Sequence, residues 1–313
     1  MAGTKEIKRR IKSVKNTKKI TKAMELVSAA KMKRVVVKTL ASRLYANYSW
    51  DLLTSLSYSL KEISHPFFES TRSSNFLKNK NINNVLILVI TSNRGLCGGY
   101  NSQILKNTIL NLKSFDQNEN IDFVVVGKKG DGMLRRTGQN IIASFSELPD
   151  VITLNDISPV SKLLITEFKE KKYKKVYVAY TDYISALNQK PKFRQLLPIS
   201  KKDLKEMIDE TANSKLNPDE NKIKEVKKVQ YIFEGEMNTL LESLSEKLVK
   251  MQIYQMLLES NASEQSSRMV AMKNAGDAAG EMIDDLTLVF NKARQANITK
   301  EISEISAGMA SLS

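Results

Sequence analysis

The sequence predicts an α/β fold joined to a long coiled coil: an antiparallel two-helix coiled coil from the N- and C-terminal segments, with an inserted open-sheet, Rossmann-like α/β domain. Three observations predict it. Helix interrupters are concentrated in the middle: no glycine or proline occurs from Thr4 to His65, none of the six prolines lies beyond Pro218, and seven of the twelve glycines fall between Gly95 and Gly138. A heptad pattern runs through the last third of the chain. Between the ends, apolar β-branched runs alternate with helical periodicity.

The first segment, residues 1–65, reads as one helix. Ile7, Ile11 and Val14 make a short apolar stripe, Lys15 to Lys22 is mostly polar, and Ala23, Val27, Ala30, Val37, Ala41, Leu44 and Tyr48 resume it. After a linker at 66–83, the domain at 84–200 begins with a buried strand at Val85–Thr91. A helix follows at Asn101–Lys113, then a strand at Phe123–Val126, a helix at Lys129–Arg136 and a strand at Ile141–Phe145. A helix at Val160–Lys171, a strand at Val176–Tyr180 and an edge strand at Phe193–Leu197 complete it. Residues 199–228 are rich in Lys, Asp, Glu and Asn and read as a solvated linker, so 201–234 forms a charged linker and foot.

The last segment, 235–313, carries the clearest periodicity. Steps of four and three residues give Met237, Leu241, Leu244, Leu248, Met251, Gln255, Leu258, Ala262, Gln265, Met269, Met272, Gly276, Ala279, Ile283, Leu286, Phe290 and Ala293. Fourteen of these seventeen are apolar, counting Ala. Residues 4–65 would extend roughly 90 Å and residues 236–310 roughly 110 Å at 1.5 Å per residue. Both rods leave the same inserted domain, so the simplest arrangement is antiparallel, with the last dozen residues of the longer one projecting alone.

Composition and charge narrow the function. The single cysteine, Cys97, rules out an internal disulfide and fits a reducing compartment. The longest apolar run, Val85–Ile90, is too short to cross a bilayer, and the N-terminus lacks a secretory h-region. Of the net charge of +15, residues 1–38 contribute thirteen Lys or Arg against Glu6 and Glu25. That block suits nucleic acid, a transit peptide or an acidic protein partner.

No catalytic constellation can be assembled. Gly95-Leu96-Cys97-Gly98-Gly99 follows a strand and precedes a helix, where phosphate loops occur. It matches neither G-x-G-x-x-G nor G-x-x-x-x-G-K-[ST], and reads as a structural turn around a buried thiol. Gly127-Lys128-Lys129-Gly130-Asp131-Gly132 reads as a solvated loop. With His65 the only histidine, neither a zinc cluster nor a Ser/His/Asp triad is available.

Three blocks in order along the chain resemble one family. They are Lys19-Ile20-Thr21-Lys22-Ala23-Met24-Glu25-Leu26-Val27, Thr91-Ser92-Asn93-Arg94-Gly95-Leu96-Cys97-Gly98-Gly99, and Ser263-Glu264-Gln265 through Arg268-Met269-Val270-Ala271-Met272-Lys273. With Phe290-Asn291-Lys292-Ala293-Arg294-Gln295 and Ile298-Thr299, they are similar to the gamma subunits of bacterial F-type ATP synthases. The resemblance implies a non-catalytic central-stalk rotor, present once per complex, without cofactor or metal. It would turn inside a ring of alpha and beta subunits and couple proton flow to ATP synthesis and hydrolysis. It would stand with the epsilon subunit on the membrane ring of c subunits, at the cytoplasmic face of the inner membrane, and bind no nucleic acid.

By the same resemblance, Lys19, Lys22 and Met24 face an acidic segment of beta. Arg268, Arg294, Gln295 and Thr299 bond a beta loop, and Ile302, Ile305, Met309 and Leu312 form a bearing tip. Tyr231, Phe233 and Glu234 belong to the foot on the c ring and epsilon. Two stretches depart from the family pattern: Val35–Val37 is less polar than usual, and 199–228 is long and lysine-rich. The regulatory cysteine pair of the chloroplast form is missing, so thiol control is not expected.

Overall fold

The computed structural model describes residues 2–59, 67, 83–115, 119–149, 151–199 and 237–310. Two rods dominate it. Helix α1 spans Ala2–Ser59 (58 residues), and the C-terminal helix, α5, spans Met237–Ala310 (74 residues). At 1.5 Å per residue they measure about 87 and 111 Å. They run in opposite directions: a Cβ on Gly276 would lie 3.3 Å from Thr21 Oγ1, and one on Gly280 would lie 2.8 Å from Lys18 Nζ. Extending that register, the first residues of α1 end opposite residues near 295, and beyond Asn297 the described side chains of α5 are exposed.

The heptad seam of α5 is where the sequence places it. From Met272 to Asn297 the residues withdrawn from solvent are Met272, Gly276, Ala279, Gly280, Ile283, Leu286, Phe290, Ala293 and Asn297. Between Leu248 and Arg268 the helix is instead withdrawn on nearly all sides, because it packs against both α1 and the sheet.

The seam of α1 follows the expected stripe at Ile7, Ile11 and Val14, which are half-buried, and departs from it further along. Ala23, Val27, Ala30, Val37 and Ala41 are exposed, whereas the buried positions are Thr21, Ser28, Val35, Thr39 and Ser42. Short side chains let the two backbones approach. Two of the hydroxyls are satisfied within their own helix, Thr21 Oγ1 donating to Lys18 O (3.0 Å) and Thr39 Oγ1 to Val35 O (2.9 Å), so their burial costs little. The side chains of Leu44 and Tyr48 lie outside the described residues.

The inserted domain contains β1 (Asn84–Ile90), α2 (Tyr100–Leu112), β2 (Asn120–Val126), α3 (Lys128–Arg136), β3 (Asn140–Phe145), α4 (Ser158–Lys169), β4 (Lys175–Tyr183) and β5 (Gln189–Leu197). The strands lie in the order β3-β2-β1-β4-β5. All neighbours are parallel except β5, which pairs antiparallel with β4 at one edge. Central strand β1 is covered on both faces, which is why its sequence is a continuous apolar run. Leu86 and Leu88 point to Val160 and Leu164 of α4 and to Val249, Ile253 and Leu257 of α5. Val85, Ile87 and Val89 point to Ile104 and Leu105 of α2 and Leu134 of α3. Each such burial contributes roughly 1.5–3 kcal/mol before entropy is counted.

Ile199, expected to open the solvated linker, is buried, and its N–H donates to Phe67 O (2.7 Å). An apolar side chain at the end of an edge strand belongs to the core rather than to the linker. His65, Pro66, the rest of 200–228 and Pro218 lie outside the described residues, as do the side chains of Met237 and Leu241.

Candidate functional site

The carboxyl ends of the parallel strands are where an open α/β sheet holds ligands. Here they face a crevice of about 760 Å³. It is closed by Met24, Ser28 and Lys31 of α1 and by Leu257, Glu264 and Arg268 of α5. Its floor is built from two glycine loops, and their geometry decides what the crevice can do.

The loop after β2 starts helix α3. Gly127 has φ +99°, and an added Cβ would sit 2.3 Å from Thr91 O. Glycine is therefore required there by both conformation and space. The next three amides, which would cradle a phosphate, already have acceptors. Lys128 N–H donates to Asn93 Oδ1 (3.1 Å), Lys129 N–H to Ser92 O (3.1 Å) and Gly130 N–H to Thr91 Oγ1 (2.9 Å). The solvated loop expected at 127–132 is thus a helix start, with Gly130 buried against Thr91. The helix expected at Lys129–Arg136 begins one residue earlier, at Lys128, and takes in Gly130 and Gly132 although glycine is a poor helix former.

The loop after β1 is a turn, as its glycine spacing indicated. Leu96 and Gly98 have φ of 62° and 56°. Cys97 is buried and free, with Asn101 Nδ2 3.2 Å from its sulfur, and Asn101 Oδ1 accepts from Ser92 N–H (3.0 Å). The loop rests on α5, where an added Cβ on Gly98 would be 3.7 Å from the Ala271 Cβ.

Further contacts clamp the domain to α5. Tyr100 OH and Ser260 Oγ lie 2.7 Å apart, Thr181 N–H donates to Ser260 Oγ (3.3 Å), and Ser263 Oγ donates to Thr181 O (3.2 Å). Burial, more than any neighbour, raises the Tyr100 phenol far above its usual range, so it stays a neutral hydrogen-bonding group. At the other end of the contact, Lys169 pairs with Glu242 and Glu246. Sequence reasoning gave these serines no part. Their spacing at 260, 263, 266 and 267 along one helix is the signal that could have shown a hydroxyl face.

The residues named from the family resemblance separate into groups. Lys19 and Lys22 are exposed near the domain end of the basic stretch of α1, Lys22 bridging to Glu25 (3.0 Å), and Met24 lines the crevice. Arg294, Gln295 and Thr299 are exposed near the free end of α5, and Ile302, Ile305 and Met309 are 60–67% exposed beyond it. Arg268 does not join these surfaces. It is 7% exposed and its guanidinium is engaged within the chain: with Glu264 (2.7 Å), Gln265 Oε1 (3.2 Å), Arg94 O (3.2 Å) and Gly95 O (3.4 Å). Tyr231, Phe233, Glu234 and Leu312 lie outside the described residues. Among the described residues, no group of three or more His, Cys, Asp or Glu is placed to hold a metal, and no helix is long and apolar enough to cross a membrane.

Solved structures share this architecture. The rotor of the Euglena gracilis mitochondrial ATP synthase in rotational state 1 aligns with a TM-score of 0.59 at 17% identity, covering 95% of this chain and 99% of that one. A chain of the Tetrahymena thermophila central stalk and c-ring structure aligns at 0.54 and 22%, covering 82% and 99%. In sequence, ATP synthase gamma chains of Legionella pneumophila (strain Corby) and Nitrosospira multiformis are 35% and 36% identical over 313 residues, with full coverage of both chains. The family model described as ATP synthase matches residues 3–312. The match thus runs the whole length of the chain, and the chain belongs to the ATP synthase gamma-chain family.

Proposed function

We propose that this chain is the central-stalk rotor of an F-type ATP synthase, a non-catalytic subunit that turns within a ring of alpha and beta subunits. Turning would couple proton flow to ATP synthesis and hydrolysis. The observation that carries the reading is the asymmetry of the shaft. One antiparallel coiled coil bears a domain on one side only, clamped to α5, and ends in a single projecting helix. Such a body presents a different face to each of three equivalent neighbours, so rotation biases their conformations in turn.

In this reading, segments 1–65 and 235–313 form the shaft, 84–200 a collar, and 201–234 the foot on the c ring and epsilon, with Tyr231, Phe233 and Glu234 as contacts. Lys19, Lys22 and Met24 meet an acidic segment of beta, and Arg294, Gln295 and Thr299 bond a beta loop. Ile302, Ile305, Met309 and Leu312 turn in an apolar bearing. The outward apolar stripe of α1, with Ile20 and Val27 60% and 55% exposed, is available to the same ring. One copy serves each complex, at the cytoplasmic face of the bacterial inner membrane. The mixture of basic and apolar residues on that exposed face suits a protein partner better than nucleic acid, which selects basic tracks with aromatic platforms.

Co-expression with alpha and beta subunits from the same source tests this. The chain is expected to co-purify with them and support ATP hydrolysis. Failure of the intact chain to enter the complex refutes the proposal.

A further inference from the structure

We infer that Arg268 is a positioning residue, whose guanidinium holds the Arg94–Gly99 loop on α5 in a conformation the loop does not keep by itself. The argument starts from Leu96. Its φ of 62° lies in the left-handed region that a leucine adopts only under constraint, yet its side chain is 62% exposed. Burial of that side chain therefore does not compensate the strain. The backbone around it must be held by other bonds.

On the side preceding Leu96, Ser92 Oγ donates to Arg94 O (2.7 Å) from the end of the strand, and Arg268 adds the bonds that come from α5. Its Nη2 donates to Arg94 O (3.2 Å) and its Nε to Gly95 O (3.4 Å), so one planar group spans two successive carbonyls. Glu264 (2.7 Å) and Gln265 Oε1 (3.2 Å), both on α5, fix the guanidinium from behind. On the side following Leu96, Gly98 rests on Ala271, and Asn101 ties Ser92 to Cys97. The loop is fastened at both ends while its middle residue stands out as a fixed projection from the shaft. Its angle on the shaft is then set by α5 rather than by the sheet alone.

The chain carries its own reporter. Cys97, its only cysteine, is 2% exposed inside this loop and shielded while the loop is held. Alkylation of Cys97 in the full-length chain, followed by peptide mass, reads loop opening directly. Arg268→Ala is expected to raise the labelling rate about ten-fold or more, since it removes two charge-assisted bonds at once. Arg268→Lys keeps the charge for Glu264 and keeps the fold, but offers no planar fork, and is expected to raise the rate nearly as much. Leu96→Gly relieves the left-handed strain and should return the Arg268→Lys rate toward wild type, a rescue that a merely structural role for Arg268 would not give. Unchanged labelling in Arg268→Lys, or no rescue by Leu96→Gly, overturns the inference.

The functional side rests on the rotor reading. In the assembled complex, Arg268→Lys is expected to lower protons pumped per ATP hydrolysed while hydrolysis persists. Failure of the wild-type chain to assemble would count against the rotor reading and leave the labelling result standing.

Discussion

Replacing Gly276 by alanine should stabilise the shaft, and the sign of that effect follows from one contact. Glycine inside a helix costs about 1 kcal/mol against alanine. Opposing this, the new methyl would sit 3.3 Å from Thr21 Oγ1 of α1, a few tenths of an ångström too close. The obstacle is a hydroxyl bonded to Lys18 O at 3.0 Å, and threonine in a helix has a second rotamer that also reaches a backbone carbonyl. The clash can therefore be relieved by rotation, at a cost of a few tenths of a kcal/mol. The net expectation is a gain of roughly 0.5–1 kcal/mol. Gly276→Leu has no such escape and should cost about 1–3 kcal/mol as the helices part. Urea unfolding of the full-length chain, followed by far-UV circular dichroism, measures both. A loss of about 0.5 kcal/mol or more for Gly276→Ala would show that the seam cannot yield, and the reasoning would be wrong.

Gly127→Ala should destabilise the domain by about 2–5 kcal/mol in the same assay, because a Cβ at φ +99° would lie 2.3 Å from the Thr91 carbonyl. Tyr100→Phe, which removes the 2.7 Å contact to Ser260, should cost about 0.5–1.5 kcal/mol without altering helix content. Asp156 accepts from Thr153 Oγ1 (2.6 Å) and Thr153 N–H (2.8 Å), and these bonds lower its pKa. Its stabilising effect is therefore complete above the unfolded value of about 3.9 and is lost as pH falls below it, so Asp156→Asn should flatten the acid limb of a stability-versus-pH curve. Changing Ile302, Ile305 and Met309 together to serine should leave the stability of the chain within about 0.5 kcal/mol, since all three are exposed, while weakening co-purification with alpha and beta.

Much of the fold was legible because its signals are local. The α5 seam from Met272 to Ala293 follows a strict three-four spacing, and β1, β2 and β3 each lie beside a glycine-containing turn. The face of α1 was misread for a physical reason. Its apolar residues Ala23, Val27, Ala30 and Val37 look like a core stripe, but close packing against α5 selects Thr21, Ser28, Thr39 and Ser42. Hydrophobicity marks a surface that wants cover without saying which partner covers it. Arg268 could not be placed from sequence at all, since the carbonyls it meets belong to Arg94 and Gly95, on a loop that only the tertiary fold brings to α5. The Gly95–Gly99 turn could be, because its spacing already failed every phosphate-loop pattern.

The antiparallel register sets a schedule for biosynthesis. Thr21 meets Gly276, roughly two hundred and fifty positions later in the chain. A ribosome adding about 5–20 residues per second leaves the first helix without its mate for on the order of 10–50 s. The inserted domain can collapse around β1 and β2 in that interval, but the shaft has to wait until Gly276 and the residues after it have been made. Over that time the N-terminal segment carries its lysines, arginines and uncovered methyl groups into the cell as a lone helix, so chaperone capture or early docking on a sister subunit has its widest opening there.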